Sequence, residues 1–151
     1  MKITLAAIAP RRGRSKTDAT DRLIADYIER ASRYVPCDFE PFDSETALIN
    51  WLSRQHGRTP PHAVLLDSRG QQFTSEEFAT YLGRLRDEGV QRLVLAIGPA
   101  DGWSPAASQR ANLLLSLGRM TLPHQLARVV LAEQVYRALT ILAGHPYHSG
   151  H

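Results

Sequence analysis

The chain has 151 residues, 43% of them hydrophobic and 22% charged, a net charge of +3 and a pI near 9.3. This is the size and balance of one soluble globular domain with a real core. No apolar run approaches the ~20 residues that span a bilayer. The single cysteine, Cys37, excludes an internal disulfide and a cysteine metal cage, so a cytoplasmic protein is expected. Sixteen of the eighteen basic residues are arginines, a mild excess that permits a polyanionic partner but follows equally from genomic bias.

Residues 2–8 (KITLAAI) predict a first strand; the segment is short for a signal peptide and Arg11-Arg12 follow at once. Arg11, Arg12, Arg14 and Lys16 then form a basic loop, which is either a solvated surface or a source of phosphate contacts. Leu23, Ile24, Tyr27, Ile28, Ala31 and Tyr34 mark an amphipathic helix from about Asp18. Asp38 to Phe42 reads as an edge strand because of Pro41, and Ser44 opens a helix carrying Ala47, Leu48, Trp51 and Leu52. Gln55 to Pro61 is a polar linker.

Ala63 to Asp67 is a buried strand ending in a carboxylate, turned by Ser68-Arg69-Gly70. Thr74-x-x-Glu77 is a capping box that starts a helix with Phe78, Leu82 and Leu85 on one face, stopped by Gly89. Leu93 to Ile97 is the next strand, residues 98–103 a loop, and Ser104-Pro105 the start of a short helix. Leu113 to Ser116 is apolar without alternation, as in a strand covered on both faces. After the Gly118 loop, Pro123 suits the first turn of a long helix. Leu126, Val129, Val130, Ala132, Val135, Tyr136, Leu139 and Leu142 form its apolar face, Glu133 and Arg137 an i,i+4 pair, and Gly144 with Pro146 its stop.

Alternating strands and helices predict an α/β fold with a largely parallel sheet. Ligands of such sheets sit beyond the carboxyl ends of the strands. Leu66-Asp67, the 98–103 loop and the 117–122 loop meet that condition, so a small-molecule site built from three loops is expected. Neither G-x-G-x-x-G nor a Walker A motif is present, which argues against dinucleotide and P-loop sites. Gly98 and Gly102 taken alone read as turn glycines, and Met120 and Trp103 as packing residues. His124, His145 and His148 lack the spacing and the further donors of a zinc site, so no metal is expected.

Three blocks go further. They are Leu65 to Ala79 (LLDSRGQQFTSEEFA); Ile97-Gly98 with Gly102-Trp103-Ser104-Pro105; and Thr121-Leu122-Pro123-His124 through Tyr136-Arg137-Ala138 to His145-Pro146-Tyr147-His148. In this order they closely resemble the ribosomal large subunit pseudouridine methyltransferase H family, of the SPOUT class of knotted methyltransferases. The resemblance implies a single domain over 1–151, mostly parallel, with a deep trefoil knot in its carboxyl-terminal part. It also implies a cytoplasmic homodimer that binds S-adenosylmethionine and methylates N3 of a pseudouridine in the 23S rRNA of the assembled ribosome. Leu66, Asp67, Gly98, Gly102, Gly118, Arg119, Met120, Thr121 and Leu122 are the cofactor positions it carries over.

Tyr147 and His148 are the candidates for proton handling or for positioning the base, on which Tyr147 would stack. Arg11, Arg12, Arg14, Arg128 and Arg137 are the candidates for phosphate contacts. One departure bears on activity: the family's loop commonly reads Gly-Gly-Pro-Glu-Gly, whereas this chain has Gly98-Pro99-Ala100-Asp101-Gly102. Pro99 removes a backbone donor and fixes φ. The competing expectations are therefore a ribosome-binding module of the same fold with weakened chemistry, or a SPOUT enzyme acting on tRNA.

Overall fold

The computed structural model of the chain describes residues 1–9, 18–54 and 59–149. In chain order these form β1 (Lys2–Ile8), α1 (Ala19–Ala31), β2 (Cys37–Phe42), α2 (Glu45–Arg54), β3 (His62–Gln72), α3 (Ser75–Asp87), β4 (Arg92–Ile97), α4 (Pro105–Arg110), β5 (Leu113–Ser116) and α5 (His124–Ala143). A short 3-10 turn, Pro146–His148, follows. The strands make one parallel sheet in the order β2-β1-β4-β3-β5.

Alternation along each strand assigns the two faces. Ile3, Leu5, Val64, Leu93 and Leu95 pack against α1, α3 and α5 through Ile24, Leu82, Leu131 and Val135. Ala6, Ile8, Leu65, Val94 and Ala96 face α2 and α4 through Leu48, Leu52 and Ala107. Local chemistry sets the helix starts. Asp18 and Thr74 each open a reciprocal capping box, with Thr74 Oγ1 accepting from the Glu77 N–H at 3.0 Å and the Thr74 N–H donating to Glu77 Oε1 at 2.9 Å. Ser104 caps α4, and Gly144, in the left-handed region at φ +72°, ends α5.

Three expectations change. Ser68-Arg69-Gly70 does not end β3. Leu66 and Gln71 both take Leu115 as register partner, so the chain loops out between them and β3 resumes along β5. Gly70 makes that crossing possible: a Cβ there would lie 2.6 Å from the backbone carbonyl of Leu114. β5 keeps its expectation: among the described residues it is a sheet edge paired with β3, yet Leu113 and Leu115 pack on the α1, α3 and α5 side and Leu114 on the α2 and α4 side, so both faces are covered. Pro123 stands at the cap position and α5 begins at His124. Leu23 and Leu126, expected on apolar helix faces, are exposed near helix starts that Thr20 and Gln125 bring together.

Candidate active site

β3, β4 and β5 include two adjacent pairs of strands, so their carboxyl ends open on one side of the sheet. The loops leaving them enclose a single cavity of about 640 Å³, well within the range of small-molecule sites. Leu66, Asp67, Gly98, Gly102, Gly118, Arg119, Met120, Thr121 and Leu122 all line it, joined by Arg69, Trp103, Ser116 and His124.

The cavity wall is fixed mainly by backbone and by close packing. Trp103 is 7% exposed and its indole N–H donates to the Leu66 carbonyl at 2.9 Å, tying the β4 loop to the end of β3. Gly98 lies under that ring: a Cβ on Gly98 would sit 2.6 Å from Trp103 Cε2. Its glycine identity is thus set by close approach, not by turn geometry. The turn belongs to Gly102, at φ +90°, whose N–H donates to the Pro99 carbonyl at 2.9 Å. In the β5 loop, the Ser116 hydroxyl donates to the Gly118 carbonyl at 2.9 Å and accepts from the Gly118 N–H at 3.2 Å.

Electrostatically the cavity is mixed. The hydrogen bonds from Arg69 hold the Asp67 carboxyl below its usual range. His124, first residue of α5, faces the Gly98 carbonyl across 2.8 Å. A carbonyl only accepts, so Nε2 carries the proton. Burial pushes this imidazole below its ordinary pKa, which keeps it neutral near pH 7 with Nδ1 unprotonated. Met120 is 87% exposed, which corrects its reading as a packing residue; Trp103 does pack. His124 and Arg69, which are not among the expected cofactor positions, line the cavity as well. The Pro-His step into a long helix was the available signal for His124.

Tyr147 and His148 are not among the residues lining the cavity. Tyr147 packs edge-on against Tyr136, with ring centroids 4.6 Å apart, and donates its hydroxyl to Glu133 Oε1 at 3.3 Å. Burial, then the Glu133 charge, pushes its phenol up to about 12, so it stays protonated across the physiological range. His148 is half-buried and its Nδ1 has no hydrogen-bond partner among the described residues. Arg137 is ion-paired to Glu133, its Nε 2.8 Å from Oε1, and lies over the Tyr147 ring. Arg128 lies over Phe39 on β2. The two arginines serve different neighbours. Arg11, Arg12 and Arg14 lie outside the described residues.

The fold and cavity together define a three-layer α/β protein with a cavity at the strand ends. The solved structure of the SpoU methyltransferase AviRb from Streptomyces viridochromogenes, in complex with AdoMet, shares that fold. Its TM-score is 0.50 at 15% identity, and the match covers 95% of this chain and 58% of that one. A family model described as "Predicted SPOUT methyltransferase" matches residues 1–148, and the chain belongs to this family. Its curated relatives include the ribosomal RNA large subunit methyltransferase H of Koribacter versatilis, 52% identical over 92% of this chain and 94% of the relative. The protein of that name from Brucella anthropi is 39% identical over 98% of this chain and 99% of its own length.

Proposed function

We propose that this SPOUT protein is an S-adenosylmethionine-dependent methyltransferase acting on N3 of a pseudouridine in 23S rRNA of the assembled ribosome. The observation that carries the reading is the cavity, because three sequence-distant loops converge on it. Its chemistry suits the cofactor. Ile97, Trp103, Leu115 and Leu117 offer apolar surface to a heterocycle, Asp101 offers a carboxylate to hydroxyl and cationic groups, and Asp67, held by Arg69, forms part of the wall. When bound there, S-adenosylmethionine supplies an electrophilic methyl group.

The chain's residues must then orient the ring and remove the weakly acidic N3 proton. His124 is the neutral base at the cavity. Tyr147, protonated at its site, serves as a stacking or donor group and not as a base. Because Tyr147 and His148 do not line the cavity of their own chain, a part in catalysis requires the tail of a second copy. A homodimer is therefore part of the proposal, supported by the exposed apolar side chains of Leu23, Met120, Leu122 and Leu126. A cytoplasmic location, one domain over the whole chain and a carboxyl-terminal trefoil knot complete it. Arg11, Arg12, Arg14 and Arg128 are its phosphate contacts. Arg137 is already engaged by Glu133 and contributes less.

Methyl transfer measured in parallel on intact ribosomes, free rRNA and tRNA is expected to be confined to ribosomes; transfer to tRNA would replace the substrate. A His148→Ala protomer mixed with one carrying Gly98→Trp should recover activity that neither has alone, and no recovery removes the tail from catalysis. Pro99 favours a second reading, an RNA-binding module with weakened chemistry. Calorimetric titration with S-adenosylmethionine separates the two, since that module gives no heat of binding.

A further inference from the structure

The side chain of Asp67 is only 5% exposed, whereas that of Arg69, two residues on, is 79% exposed. Arg69 nevertheless holds that carboxylate three times. Its backbone N–H reaches Oδ1 at 2.8 Å, Nε reaches Oδ1 at 3.2 Å and Nη2 reaches Oδ2 at 3.2 Å. A guanidinium carries five N–H bonds in a rigid plane. With Nε and one Nη2 proton committed to Asp67, the other three face away from the carboxylate, at the rim of the cavity.

The peptide beneath is equally constrained, because Leu66 and Gln71 share Leu115 as register partner and Gly70 is pressed against β5. A typical surface arginine loses rotamer freedom when it binds; this one is already held. The pairing also cancels the Asp67 charge, so the buried carboxylate does not repel an incoming anion.

Resting on the reading of the cavity as the site of RNA methylation, we infer that Arg69 binds a backbone phosphate of the strand that presents the target base. Asp67 thereby aims a substrate-binding arginine as well as lining the cofactor cavity. The high exposure of Arg69 at the rim favours a macromolecular anion over the carboxylate of the cofactor.

The test compares wild type, Arg69→Gln and Arg69→Lys on unmethylated ribosomes. Arg69→Gln should raise KM for ribosomes about tenfold, while kcat moves far less. On an rRNA fragment it should reduce the slope of log affinity against log salt by about 0.7–0.9, one phosphate contact. Arg69→Lys should keep the salt slope, because the charge remains. The dissociation constant of S-adenosylmethionine by calorimetry should rise less than KM does for both, since Asp67 keeps the Arg69 backbone N–H. Unchanged KM and slope in Arg69→Gln overturn the inference. So does cofactor binding weakened as much as KM, which would make Arg69 a support for the cofactor site. A wild-type chain that takes up no S-adenosylmethionine sinks the reading of the cavity itself, and this inference with it.

Discussion

At the cavity, positions are held by backbone and by the absence of side chains: Gly98 lies under the Trp103 ring, Gly70 against β5, and Trp103 donates to a main-chain carbonyl. At the chain terminus the reverse holds. Tyr147 is kept in place by side chains, with Tyr136 at its ring edge, Arg137 over its face and Glu133 accepting from both. Tyr27 on α1 and Tyr34 in the turn after it extend that cluster, with centroids 6.2 and 6.4 Å from Tyr136. Backbone-built walls do not adapt to an added methyl group, whereas a side-chain cluster can repack or release. The cavity wall is thus the more rigid of the two regions, and the tail the one able to repack.

The contrast can be broken by mutation. Trp103→Ala should cost the most, about 4 kcal/mol of unfolding free energy in urea, and should abolish cofactor binding by calorimetry. Gly70→Ala should cost about 1–3 kcal/mol, because the atoms it meets are main chain and cannot swing aside; a shift in denaturation midpoint without a change in slope would read it. Glu133→Gln should cost about 1–2 kcal/mol, because it weakens the partner of a half-buried guanidinium. It should also lower the Tyr147 pKa from about 12, seen by ultraviolet titration, because the Glu133 charge helps to raise it. If Glu133→Gln proved costlier than Trp103→Ala, the comparison would be inverted.

Acid sharpens the same picture. Burial depresses both His62, which faces the Tyr81 hydroxyl at 2.5 Å, and His124. Below the ordinary histidine value of about 6.5 the unfolded chain binds protons that the folded chain does not. The contribution of these two residues should therefore fall as pH drops below that point and level off beneath their folded values; replacing both with Gln should flatten that part of the profile of midpoint against pH. The smallest effect belongs to the surface. Glu88→Ala breaks an exposed pair with Arg84 and should change stability by less than about 0.5 kcal/mol.

What could be read in advance follows the same division. The Thr74–Glu77 box, the Ser104-Pro105 start and the Gly144 stop are local chemistry, and each marks the helix boundary it foretold. The three strand-end loops were legible because parallel strands place their carboxyl ends together. The interrupted course of β3 was not. Ser-Arg-Gly has turn composition, and only the long-range pairing of Gln71 with Leu115 shows that the strand continues. The surroundings of the tail were not legible either, because nothing near Tyr147 in sequence reveals that its hydroxyl finds Glu133 fourteen residues earlier. Met120 is an apolar residue type, yet it is 87% exposed on the loop after β5.

Trp103 gives the protein a built-in optical probe. The chain has two tryptophans, and Trp51 lies on α2 beside Phe42 and Arg92, away from the cavity lining. Once Trp51 is changed to Phe, a single indole forms part of the cavity wall, with its N–H on the Leu66 carbonyl. Ligand entry alters the polarity at that ring, so emission wavelength and intensity would follow loading of the cavity in real time, without a label.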